Sequence, residues 1–136
     1  MAEGLDYVTK DSPWSVAETV ARLTVLMGER GMTVFATIDQ GAAARSVGME
    51  LRETILVIFG NPASGTPVMD AAPMAALDLP LKLLVWDDDS RTRVSYLAPT
   101  VLAARYGLPE SLAAPLAGID QFTDAALTDP AGAPGS

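Results

Sequence analysis

Val16, Val20, Leu23 and Met27 recur at helical spacing and form one apolar stripe, with Glu18, Arg22 and Glu29 lying off it. Two start signals compete for this helix. Ser12 before Pro13 is an N-cap with proline at the first helical position, and Ser15 with Glu18 has capping-box spacing one turn later. Gly31 suits the left-handed residue that closes it. Tyr7-Val8-Thr9 before the helix reads as a short strand. Met32 to Ile38 after it is rich in β-branched residues and reads as a strand ending at Asp39.

Gln40 to Val47 is Ala-rich, bounded by Gly41 and Gly48, and predicts a short helix. Leu51 to Phe59 contains the run Ile55-Leu56-Val57-Ile58-Phe59, which predicts a strand covered on both faces or nearly so. Gly60 to Pro67 reads as a turn-forming loop, with Thr66-Pro67 starting a capped helix. Pro73 divides that helix into Val68–Ala72 and Met74–Leu77. Leu81 to Trp86 predicts another buried strand. Asp87 to Ser90 is a polar turn, and Arg91 to Leu97 alternates Thr92, Val94 and Tyr96 against Arg91, Arg93 and Ser95, which completes a hairpin. Pro99 to Tyr106 is a helix stopped by Gly107. Pro109 opens a last helical stretch through Leu112 and Leu116, weakened by Pro115 and Gly118, that continues, kinked, through Phe122 to Leu127.

The resulting order, β-α-β-α-β-α-β-β-α-α, predicts an α/β chain of the α+β type. It forms a single compact domain over residues 1–128, with a mixed, mostly antiparallel sheet and helices packed against it. Residues 129–136, rich in Pro, Gly and Ala, read as a disordered tail. At 136 residues with 49% hydrophobic and 19% charged side chains, such a domain can bury a core without staples.

Composition narrows the chemistry more than any motif does. With no cysteine, the chain offers no disulfide, thiolate metal site or thiol nucleophile; with no histidine, it lacks the commonest metal ligand and the usual neutral-pH base. No metal, cofactor or catalytic residue is therefore assigned. Nine Lys and Arg, scattered singly, face 17 Asp and Glu for a net charge of −8, so neither nucleic acid nor an anionic membrane is an expected partner. The acidic start Met1 to Asp6 does not read as a signal peptide, and no apolar run reaches the ~20 residues of a membrane helix. The expected location is cytoplasmic.

One ordered set of motifs carries a resemblance. It begins with Phe59-Gly60-Asn61-Pro62-Ala63-Ser64-Gly65-Thr66-Pro67-Val68-Met69, followed by Ala75 to Lys82, Val85-Trp86-Asp87-Asp88, Val94-Ser95-Tyr96 and Leu102 to Leu108. Together these resemble domain-of-unknown-function family 302 over roughly Tyr7 to Leu127. The resemblance implies a compact α/β domain around a mixed sheet and a homodimer, and implies no established activity. Where members usually read Ile-Asp-His, this chain has Ile38-Asp39-Gln40, and Tyr106 stands where members often carry histidine. Any histidine-dependent site of relatives is in doubt here, because glutamine does not titrate and is a poor transition-metal ligand.

The candidate ligand-binding residues are Asp39, Gln40, Asn61, Gly65, Thr66 and Lys82. The Gly60-to-Thr66 segment could cradle an anion on backbone N–H groups ahead of a helix. Its Gly spacing is that of a P-loop, but Thr66-Pro67 replaces the Lys-Ser/Thr pair, so P-loop nucleotide binding is rejected. The favoured alternative is a tight connection in which Asn61 and Thr66 satisfy local backbone groups. Asp39 with Gln40 forms a polar strand end that either contacts a ligand or, as favoured, caps the following helix. Lys82 lies in an apolar strand, where burial would tune it for Schiff-base chemistry, although snorkelling to an edge is commoner. Asp87-Asp88-Asp89 lacks the alternation of a calcium loop. Met69 and Met74 suit a soft apolar lining or plain core filling.

Three functions fit these constraints. The first is a non-catalytic domain that binds a small molecule or forms a dimeric interaction surface. The second is an enzyme using carboxylate, tyrosine or lysine acid–base chemistry. The third is a scaffold that has lost a histidine-dependent metal or haem site found in relatives.

Overall fold

The computed structural model describes residues 6–128; the segment expected to be a tail lies outside them. Five strands, β1 (Tyr7–Ser12), β2 (Thr33–Asp39), β3 (Thr54–Gly60), β4 (Leu81–Asp88) and β5 (Arg91–Leu97), form one sheet in the order β1-β5-β4-β3-β2. Every pairing is antiparallel, so the sheet has no parallel member and is not mixed. Helices α1 (Val16–Glu29), α2 (Gln40–Arg45), α3 (Pro62–Ala71), α4 (Pro99–Tyr106) and α5 (Glu110–Ala126) complete the domain, with a 3-10 turn at Pro73–Leu77.

Local signals place most boundaries. Ser15, not Ser12, caps α1: its hydroxyl accepts from the Glu18 N–H at 3.1 Å, while β1 uses the backbone as far as Ser12. Gly31 at φ 75° and Gly107 at φ 60° take the left-handed conformation that ends α1 and α4. The β4–β5 hairpin turns through Asp89 and Ser90, both at positive φ, and the Asp87 carboxylate accepts from the Ser90 N–H at 2.9 Å.

Because β1 and β2 are the two edges of the sheet, α1 must cross its face to connect them. There Val16, Leu23 and Met27 meet Val57, Phe59, Leu83, Val85, Val94 and Tyr96 of the sheet and Ile119 and Phe122 of α5 in one core. A smaller cluster of Val68, Ala75, Leu102 and Leu116 joins α3, the 3-10 turn, α4 and α5. Lys10 fastens edge strand β1 to α5, donating to the Asp120 carbonyl at 2.8 Å and the Thr123 hydroxyl at 2.6 Å.

The expectation that β3 and β4 are covered on both faces is corrected. Val57, Phe59, Leu83 and Val85 are buried beneath the helices, whereas Leu56, Ile58, Leu84 and Trp86 are only partly covered. An uninterrupted apolar run carries no alternation from which to tell which face is packed.

Candidate functional site

The chain's expected anion loop is a helix. Asn61 has extended backbone and its side-chain oxygen accepts from the Ala63 N–H at 2.9 Å, and Pro62 occupies the first helical position. Helix α3 therefore starts before Thr66-Pro67, and Pro67 lies inside it. The Ser64 and Gly65 N–H groups both bond to the Asn61 carbonyl at 2.9 Å. The donors that an anion cradle requires are thus consumed within the first turn. Asn61 does satisfy local backbone groups, as the tight-connection reading has it. Gly65 is helical, and a Cβ added there would meet only the Met69 Cε at 3.9 Å, so close backbone approach is not its role.

What the segment does is wall a cavity. Asn61, Gly65, Thr66 and Met69 line one side of a space of about 500 Å³. Facing them are Pro115, Leu116, Ile119, Gln121 and Phe122 of α5, with Leu79, Pro80 and Leu81 at the approach to β4. Arg30 and Met32, delivered by the end of α1, and Phe35, in the β2 bulge between Val34 and Ala36, close the remaining side. The floor is aromatic: Phe59 is 2% and Phe122 1% exposed, with ring centroids 6.2 Å apart and planes at 27°. Arg30 is exposed, and its guanidinium stands 5.8 Å from the centre of the Phe122 ring.

The lining holds no carboxylate, lysine, tyrosine or other group able to exchange a proton near neutral pH. Ser64 and Thr66 have no base beside them. Among the described residues, no buried side-chain polar atom lacks a partner, and no group of three or more Asp or Glu side chains gathers as a metal site would require.

The other nominated residues lie elsewhere. Asp39 caps α2, accepting from the Ala42 N–H at 2.9 Å, and exposed Gln40 begins that helix; neither lines the cavity. Lys82 is exposed and donates to the Pro80 carbonyl at 3.3 Å, which removes the burial a Schiff-base lysine would need. It borders a second hollow, of about 530 Å³, with Asp78, Arg105, Tyr7, Leu84 and Leu97. Asp78 is already engaged there: Tyr106 donates its hydroxyl and Arg105 donates from Nη1 at 2.8 Å. The Tyr106 hydrogen bond first, and Arg105 second, hold the Asp78 carboxyl below its ordinary range. A further polar cluster joins Lys10, Tyr96, Asp120, Thr123 and Asp124 across β1, β5 and α5. Burial lowers the affinity of Lys10 for its proton, but hydrogen bonds to Asp124 and Tyr96 outweigh it and raise the pKa.

Of the cavity walls, the sequence singled out Asn61, Gly65, Thr66 and Met69. Met74, paired with Met69 in that reading, is 63% exposed and does not line this cavity. Phe59 opens the same stretch as Asn61, whereas Arg30, Phe35, Gln121 and Phe122 carry no local signal, because they reach the cavity from segments far from it in the chain.

Three relatives are similar over part of their length. Proteins named fluoride-specific ion channel FluC 1 from Brucella suis and Brucella abortus, and FluC 2 from Brucella melitensis, are each 41% identical over 102 residues, 74% of this chain. The chain spans 38–40% of the length of these relatives. Among solved structures, an uncharacterized conserved DUF302 protein from Bacillus stearothermophilus superposes with a TM-score of 0.77 at 21% identity, covering 90% of this chain and 96% of that one. The fold is therefore shared with that protein. The sequence pattern described as "Domain of unknown function DUF302" matches residues 8–126, and the chain belongs to that family.

Proposed function

We propose that this domain is a non-catalytic receptor for a small, mainly apolar molecule. The cavity of about 500 Å³ between α3 and α5 carries the proposal. Its size and apolar floor are those of a small-molecule site, with a few polar groups to orient the ligand. The absence of any proton-exchanging group from its walls favours binding over acid–base catalysis. The test is a thermal-melt screen against apolar metabolites. A true ligand at about 100 times its Kd adds about 2.7 kcal/mol, which raises the Tm of a domain this size by roughly 10 °C. Flat melts across the screen would refute the reading.

The interaction half of the reading is supported by exposed apolar side chains around β2 and the segment after α2: Val34, Phe35, Ile38, Val47, Met49 and Leu51. A second copy of the chain is the expected partner. Sedimentation showing only monomer at high micromolar concentration would remove it.

A second reading rests on the names of the Brucella relatives. Among the described residues no helix is long and apolar enough to cross a membrane. We therefore expect any membrane-crossing helices of those channels to lie outside the matched region, with a domain like this one working beside the channel. The cavity itself does not suit fluoride, a small and strongly hydrated anion that needs several donors. Fluoride is expected to move the melting temperature no more than chloride does. A fluoride-specific rise would replace the apolar ligand with the ion.

A further inference from the structure

Resting on the cavity reading, we infer that the ligand is an amphipathic anion: an apolar body on the Phe59–Phe122 floor, with a terminal carboxylate or similar group held by Arg30. The walls are chemically polarised. Phe59 and Phe122 are almost wholly buried, whereas Arg30 is exposed, with its guanidinium 5.8 Å from the centre of the Phe122 ring. Arg30 is the one cation among the lining residues, and no carboxylate lines the cavity to oppose a ligand anion.

The state of that guanidinium sharpens the inference. Lys10, Arg22, Arg91, Arg93 and Arg105 are each paired with a carboxylate within 4 Å. Arg30, like Arg45, Arg52 and Lys82, has no such partner among the described residues, and of these four it alone lines the cavity. Its backbone N–H bonds to the Leu26 carbonyl at 3.0 Å, which anchors its Cα at the end of α1, and its guanidinium lies against the Phe122 ring. It is thus positioned over the apolar floor with its donors open to a planar anion. Asn61, Ser64, Thr66 and Gln121 supply neutral polar groups on the same lining.

The volume bounds the body. About 500 Å³ holds on the order of 16 groups of about 30 Å³ each. A medium-length acyl chain or a fused aromatic acid fits within that limit; a two-chain lipid does not. The net charge of −8 repels anions at long range, so selection for one must come from the local contact with Arg30.

The probes are decanoate, 1-decanol and decyltrimethylammonium, each below its aggregation limit, titrated by displacement of an apolar fluorescent dye. Decanoate is expected to bind roughly tenfold more tightly than decanol, with the ammonium weakest. Arg30→Gln should erase the advantage of decanoate over decanol, and Arg30→Lys, which keeps the charge but not the planar fork, should restore only part of it. Equal binding of decanoate and decanol, or an Arg30→Gln variant that still prefers decanoate, would overturn the anion inference and leave the apolar receptor standing. No displacement by any of the three would overturn both.

Discussion

Replacing Phe122 with alanine tests at once the packing of α5 on the sheet and the identity of the cavity floor. Phe122 is 1% exposed, belongs to the main core and stacks on Phe59 at 6.2 Å. Truncating a buried phenylalanine costs about 3–5 kcal/mol, and the aromatic pair accounts for about 0.5–1.5 kcal/mol of interaction beyond area. One feature lowers the expectation within that range. Each 100 Å³ of void that stays dry and unrelaxed adds about 2.4 kcal/mol. Here the vacated space opens into an existing cavity, where solvent or a shifted Met69 can enter. The expected loss is therefore about 3 kcal/mol, measured by urea unfolding at neutral pH with an unchanged slope. Leu23→Ala on α1, fully buried and away from the cavity, serves as the control without that relief. A loss below about 1 kcal/mol for Phe122→Ala would refute the packing of α5 on the sheet.

Other outcomes follow from single contacts. Asp39→Ala should cost about 1 kcal/mol of unfolding free energy through the lost cap on α2, without changing decanoate affinity; an affinity change would return Asp39 to the ligand site. Lys82→Gln should shift stability by less than about 0.5 kcal/mol, and borohydride with carbonyl compounds should label Lys82 no more readily than an ordinary surface amine, because the side chain is exposed; selective trapping on Lys82 would restore the Schiff-base reading. Gln40→His should gain no metal or haem binding by absorbance titration, since no group of three or more Asp or Glu side chains gathers among the described residues to complete a ligand set; a gain would support a lost site. Asp78 titrates below its ordinary value of 3.8, so its contribution is present above that pH and is lost as pH falls through the lower folded-state pKa. Acid unfolding of Asp78→Asn should show a shallower fall below about pH 4 than the parent; identical profiles would deny the coupling.

Much of the fold was legible because its signals are local. A capping serine, a left-handed glycine or a two-residue turn acts within one helical turn of its own position. Ser15 with Glu18, Gly31, Asp87 to Ser90 and Gly107 accordingly mark real boundaries. The Gly60–Pro67 segment misled for a related reason: Asn61-Pro62 is as sound a helix start as Thr66-Pro67, and a proline within the sixth helical residue is tolerated where exposed Ala63 can give its carbonyl to water. The candidate site was legible only along that one segment, as Asn61, Gly65, Thr66 and Met69.

By itself the sequence determined the type and order of the elements, the exclusion of cysteine and histidine chemistry, and family membership, since all three are carried by residue identity and short-range spacing. The tertiary structure alone decided which face of β3 and β4 is packed, that Lys82 lies in solvent, and that Arg30 meets Phe59 and Phe122 across one cavity. These are outcomes of where α1 and α5 land on the sheet. That placement follows from the summed burial of distant apolar residues, a quantity that no local stretch of the chain contains.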